Sequence, residues 1–374
     1  MKRESSAGVT LIELIVVLVI LSVAFGILYE GFIKVFKTYK EQAKLTESNI
    51  EKLIALEVLR KDIEMAGLGI PINLNNSTYS ETASSICSSC TDSSSQPRPI
   101  CICNDSGPNG SDHLVAKSSM AFITNSGARK VATLIPNPSG DWNIRYQGGA
   151  FSSSDYFIIL DPINKKLEKV NGYWFLKLSD INPLIDGDNS TTAPFTGTPD
   201  RVYAVYGILN SSYSASELTY KKPFNRVDYY LDSTNKPPRC HPNTYELYRS
   251  NISHKTGNEI NKKIILDCIL DFQLAFGLDT DNDTKIDTWS FDISGLDANQ
   301  IIKQLKQVRV YIVYQMGRKN SKKIFRNSII SIKAPDGSVI KNIDMTPYTD
   351  YEYYQWKLIS FGVTPFNIEP LERY

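Results

Sequence analysis

The sequence predicts an α+β protein: a long N-terminal α-helix, membrane-spanning in its first half, packed on a β-rich antiparallel-sheet globular head. Three observations predict it. Leu11–Leu28 is apolar or small at every position except Glu13, and at about 1.5 Å per helical residue it approaches the ~30 Å hydrocarbon core of a bilayer. A three-four apolar spacing then continues with no proline before Pro71. From His113 onward, short β-branched and aromatic runs are fenced by Gly, Pro, Asn or Ser, which is the pattern of antiparallel strands.

The helix is expected from about Val9 to Ala66, roughly 85 Å at ~1.5 Å per residue. Phe32, Phe36, Tyr39 and Ala43 carry its apolar face beyond the membrane, and Ile50, Leu53, Leu56, Leu59, Ile63 and Ala66 carry it onto the head, with Lys and Glu between. Gly26 and Gly31 are its weakest points. Gly67-Leu68-Gly69-Ile70-Pro71 is the stop signal. Residues 9–29 are assigned to the membrane, 9–66 to the helix and 67–374 to the head.

Residues 73–112 turn to Ser, Thr, Asn, Gly and Pro and hold Cys87, Cys90, Cys101 and Cys103, so a long stapled loop is expected. Cys87-Ser-Ser-Cys90 also has the spacing of a zinc half-site or a redox pair, but Cys101-Ile-Cys103 is no second half-site. Thr91, not His, follows Cys90, which excludes haem attachment. Structural disulfides are favoured, with Cys240 and Cys268 joined to each other or to this loop. Strands are expected at His113–Lys117, Ala121–Thr124, Lys130–Leu134, Tyr156–Leu160, Tyr173–Leu176 and Arg201–Leu209. Later ones are expected at Arg226–Leu231, Tyr245–Arg249, Ile264–Phe276, Lys306–Met316, Ile324–Ile332 and Tyr353–Phe361. Along Val308–Tyr314 one face should meet a core, and the opposite face carries Arg309 and Tyr311.

The 374 residues suffice for the helix and one large or two modest globular units. With 41 basic against 40 acidic residues, no global field steers the chain to nucleic acid. Tyr213, Tyr220, Lys221, Lys222 and Phe224 interleave aromatics with lysines, and ordinary sheet and loop roles explain them better than contact with DNA. The three histidines, His113, His241 and His254, stand apart from any nucleophile or metal motif, and no phosphate loop is visible, so no enzyme is expected.

Glu13 is the anomaly of the apolar segment. A carboxylate there costs free energy and calls for a partner. Read blandly, it is a helix-start acid favoured by the macrodipole, or Ser22-Val23-Ala24 ends an ordinary export signal. A sharper reading uses the residues before it. Lys2 and Arg3 favour a cytoplasmic start, and cleavage after Gly8 would leave an amine on Val9, four residues before Glu13.

Gly8, Thr10, Leu11, Ile12, Glu13 and Leu14 resemble the N-terminal signal of type IV pilins and type II secretion pseudopilins. That resemblance implies removal of residues 1–8 by a prepilin peptidase, N-methylation of Val9 in place of the usual Phe, and pairing of Glu13 with a neighbouring subunit's amine. Ile54–Gly67 resembles the end of the long helix in PilW-type minor pilins and, less closely, that of J-type pseudopilins. Val227-Asp228-Tyr229-Tyr230-Leu231, Glu246-Leu247-Tyr248-Arg249, Ile269–Asp279, Leu305–Tyr314 and Tyr354–Asn367 follow in a similar order. The resemblance therefore covers about Gly8–Ala66 and Val227–Asn367. It implies a minor pilin in initiation and tip assembly of type IV pili, held first in the inner membrane with its head in the periplasm and later at the pilus tip. Its partners would be other minor pilins, the major pilin and the assembly platform. A J-like pseudopilin is the alternative, although the chain is large for one and Glu13 argues against the K-type. A membrane-anchored periplasmic binding protein that never polymerises is the alternative of another class.

One local motif suits a metal. Asp279, Asp281, Asp283 and Asp287, with the Lys285 carbonyl, fall at positions 1, 3, 5, 9 and 7 of an EF-hand-like loop, a hard-oxygen set for a structural calcium. Thr284 replaces its turn glycine and Ser290 its final glutamate.

Overall fold

The computed structural model describes residues 10–81, 86–93, 96–121, 130–136, 142–147, 149–151, 155–177, 195, 197–198, 200–208, 222–234, 236–254 and 256–365, without the side chains of 37, 38 and 40–52. The chain divides into two units, Met1–Ile54 and Ala55–Tyr374.

Helix α1 is Leu11–Glu64, 54 residues. Thr10 starts it with a reciprocal cap. The Thr10 amide and hydroxyl both donate to Glu13 Oε2 at 3.0 Å, and the Glu13 amide donates back to Thr10 Oγ1 at 3.3 Å. This is the S/T-x-x-E capping box, satisfying donors that the first turn otherwise leaves open. The helix is continuous through Gly26 and Gly31, where nothing lies within 4 Å of an added Cβ. In the first unit its apolar residues from Leu11 to Tyr39 are exposed except Ile33, which is half-buried.

In the second unit the last turns of α1 bury Ala55, Leu59, Ile63 and Ala66, one helical stripe, in the main core. The chain then leaves through Gly67 and Gly69, both at positive φ. At Gly69 a Cβ would also meet Ser119 Oγ at 2.4 Å, so glycine serves both backbone and packing there.

Fifteen strands follow among the described residues. They are β1 Ile100–Cys103, β2 His113–Ser118, β3 Val131–Pro136, β4 Trp142–Gln147, β5 Tyr156–Asp161, β6 Lys166–Leu167, β7 Tyr203–Ile208, β8 Asn225–Asp232, β9 Tyr245–Ile252, β10 Glu259–Leu278, β11 Thr288–Ser290, β12 Leu305–Met316, β13 Ile329–Lys333, β14 Val339–Asp344 and β15 Gln355–Val363. Between β11 and β12 lies α2, Ala298–Gln304, opened by an Asp297–Gln300 capping box. The main sheet runs β1-β2-β8-β9-β10-β12-β15 with β11 on β10, a second sheet runs β4-β3-β7-β5-β6, and β13-β14 is a separate hairpin. Pairing between strands is antiparallel throughout.

At β12 the main sheet is covered on both faces. Val308, Val310 and Ile312 join the core that holds the end of α1, while Tyr311 and Val313 pack with Ile332, Ile343 and Trp356 in another. Tyr311, on the opposite face as expected, is buried there because the β13-β14 hairpin packs over it. Strand β10 changes phase midway, where Cys268 takes positive φ and the register slips between Ile269 and Asp271.

Other expectations need correction. Tyr173–Leu176 makes only isolated bridges, Val170 with Tyr173 and Phe157 with Leu176, and Ile324–Ile332 becomes a strand only at Ile329. The 73–112 loop contains β1 and half of β2's pairing, because Ile100 and Ile102 fill the core beneath the sheet. Of Ala121–Thr124, residues 122–124 lie outside the described residues, as do Gly8, Val9, Tyr213, Tyr220 and Lys221.

Candidate functional site

The first candidate is the start of α1. Leu11–Phe36 is an exposed apolar stretch of 26 residues, long enough by length and composition to cross a membrane. Glu13 stands within it, holding its own helix start through Thr10. The capping role and a role toward a partner are compatible. A cap fixes the carboxylate on one side of the first turn, where an incoming cation would meet an oriented acceptor and spare an unpaired charge in apolar surroundings.

A second cluster ties the end of α1 to the sheet. Asp62 accepts from Tyr229 Oη at 2.5 Å and Arg249 Nε at 2.7 Å, and Arg249 also reaches the Ala121 carbonyl at 2.9 Å and Asn251 Oδ1 at 3.1 Å. Burial foremost, then the Asp62 carboxylate, drives the Tyr229 phenol well above its ordinary range, so it remains a donor. Three stretches far apart in sequence, the end of α1, β8 and β9, meet in this one buried contact.

The six candidate cysteines form three bridges, Cys87–Cys103, Cys90–Cys101 and Cys240–Cys268. Beneath the first two lies a charge cluster that sequence reasoning missed. Lys117 contacts Glu81 at 2.8 Å and Asp92 at 2.5 Å, and Arg226 contacts Glu81 at 3.0 Å and Asp228 at 2.7 Å. Burial alone would raise Glu81, but Lys117 and Arg226 outweigh it and hold the carboxyl at about 2. The available signal was Lys117, Arg226 and Asp228 standing within the expected strands.

The histidines are structural in their contacts. His113 Nε2 lies 3.1 Å from Asp228, and His254 Nε2 lies 3.1 Å from Asn225 Oδ1. His241 Nδ1 accepts from the Asn243 amide at 3.1 Å, so Nε2 carries the proton toward the Thr349 carbonyl at 2.8 Å. Burial beside Tyr354 and Trp356 lowers its pKa and favours this neutral form.

In the acidic loop, Asp279, Asp281 and Asp287 bring one oxygen each within 4.8 Å of one another. Asp283 is not in that group; it pairs with Lys285 at 3.2 Å. Thr284 takes φ 75, the left-handed conformation that the glycine of such a loop supplies. Asp279 accepts from the Asn282 and Thr284 amides at 2.6 and 2.8 Å, and the Lys306 ammonium lies 3.4 Å away. Three converging carboxylates fit a hard cation, while the nearby lysines already supply part of the positive charge.

Among known proteins, the prokaryotic N-terminal methylation motif matches residues 3–29. No curated protein and no solved structure matches the chain.

Proposed function

We propose that this chain, a type IV pilin-like prepilin by its N-terminal motif, is a PilW-like minor pilin that takes part in initiating type IV pili and stands at their tip. The observation that carries the reading is the motif over residues 3–29, with Glu13 capped at the head of an exposed apolar helix. The family of that motif is structural, and the chain's work is assembly. A prepilin peptidase cuts after Gly8 and methylates Val9. The apolar helix anchors the subunit in the inner membrane, and Glu13 receives the terminal amine of a neighbouring pilin, which sets the register of the bundle. The joining of Asp62, Tyr229 and Arg249 supports the PilW-like reading over a J-like pseudopilin, since all three belong to the pattern that resembles those proteins. The acidic loop at Asp279–Asp287 takes calcium as a structural ion.

The test is the intact mass and N-terminus of the membrane-extracted chain, expressed with and without a prepilin peptidase. A chain starting at methylated Val9 only with the enzyme is expected. An uncut chain, or one starting at Phe25, sinks the proposal and leaves an anchored or exported protein. Glu13→Ala then separates pilin from plain anchor, because incorporation into filaments should fail while membrane insertion persists. Neighbouring genes for a retraction motor and other minor pilins would separate pili from type II secretion.

A further inference from the structure

Lys117 and Arg226 are sealed in the second unit with no side-chain exposure, and most of what compensates them comes from one segment outside the sheet. Lys117 Nζ donates to Glu81 Oε2 at 2.8 Å, Asp92 Oδ2 at 2.5 Å and the Cys90 carbonyl at 2.8 Å. Arg226 donates to Glu81 Oε1 at 3.0 Å and to the carbonyls of Cys87 and Cys90 at 3.2 and 3.4 Å. From the sheet itself Arg226 receives Asp228, on its own strand β8.

Glu81, Cys87, Cys90 and Asp92 all lie in residues 81–92. The described part of that segment has only a short 3₁₀ turn, Ser88–Cys90, as regular structure. What ties it to the sheet is the nested pair of bridges, Cys87–Cys103 and Cys90–Cys101, whose far ends lie on β1. The two cysteines whose carbonyls serve the buried cations are therefore the two whose sulfurs hold the segment down. Sulfur and charge are two attachments of one piece of chain. A buried cation stripped of its partner costs far more than the pair contributes, and a bridge chiefly limits the freedom of the unlinked chain.

We propose that the nested disulfides are an oxidation-dependent latch on this charge cluster: closing them seats the counter-charges over Lys117 and Arg226, and opening them releases both cations' compensation together. Each bridge closes by thiol–disulfide exchange with an external disulfide such as oxidised glutathione. Two cysteine thiols give up two protons and two electrons to form one S–S bond, and the external disulfide becomes two thiols. The main sheet then reaches full stability only in an oxidising compartment, a property independent of the pilin reading.

A double-mutant cycle on the full chain in detergent micelles tests the coupling. One arm opens the latch with C87A/C90A/C101A/C103A and keeps Cys240–Cys268. The other neutralises the cluster with K117M/E81Q, which leaves Arg226 with Asp228 and Arg98 with Asp92, a pair at 2.9 Å. Opening the latch should lower the denaturant midpoint in the neutralised background by at most about half the drop seen in the wild-type background. Equal drops overturn the proposal. If the four-alanine variant does not fold, hydrogen exchange before and after dithiothreitol on a C240A/C268A chain decides instead. Protection should fall at the Lys117 and Arg226 amides in β2 and β8, and loss confined to residues 81–92 overturns the latch.

Discussion

Asp62 Oδ2, near the end of α1, lies 2.7 Å from Arg249 Nε on β9, joining residues 187 positions apart, with Tyr229 Oη at 2.5 Å from the same oxygen. Both side chains are nearly excluded from solvent, at 8% and 5% exposure. Arg249→Met should destabilise the protein by about 3–5 kcal/mol, because it strands a buried carboxylate. Asp62→Asn combined with Arg249→Met should cost clearly less than Arg249→Met alone. Guanidinium unfolding of the full chain in micelles measures both. A double variant as unstable as the single one would show that packing, not charge, dominates the contact.

The stripe of α1 that enters the core supplies the second prediction. Leu59 and Ile63 are fully buried, so Leu59→Ala should cost about 2–5 kcal/mol and Ile63→Val about 0.5–1.5 kcal/mol. The same unfolding experiment checks them, and a Leu59→Ala loss below ~1 kcal/mol would mean that the stripe is dispensable.

Acid should act on the buried charge cluster. Glu81 is held at about 2 from an ordinary 4.5, a depressed carboxyl, so the unfolded chain binds the extra proton first. Its stabilising contribution is complete above about pH 4.5 and is lost as pH falls from there toward about 2. Stability followed over that window should therefore decline, and K117M/E81Q should decline less steeply. Identical slopes would assign the acid response to other carboxylates.

For the acidic loop, millimolar calcium should raise the Tm of the full chain in micelles and a chelator should reverse the rise, with Asp281→Asn weakening both effects. Lys306 near Asp279 and Lys285 near Asp283 keep the expected shift small. No shift under either condition removes calcium from the proposed function.

The sequence by itself determined what is local. An apolar run broken only by Glu13, a continuing three-four spacing and a Gly-rich stop suffice for α1, because a helix closes its hydrogen bonds within its own segment and its periodicity is written over many turns. The antiparallel class of the body was legible for a like reason, from short fenced β-branched runs. Short elements were not: α2 is only seven residues, and β1 hides in a Ser- and Cys-rich stretch whose composition reads as loop. Tertiary structure alone decided which charges are buried and which cysteines pair. Strand alternation placed Tyr311 on the face opposite Val308, Val310 and Ile312, and only the fold supplied the hairpin that buries it. Lys117 and Arg226 were expected only as strand residues, and the fold alone brought Glu81, Asp92 and the Cys87 and Cys90 carbonyls to them. Asp62 and Arg249 were visible only as parts of a pattern. The physical reason is the same in each case: burial and charge compensation depend on groups distant in sequence, and no local spacing records where those groups come to rest.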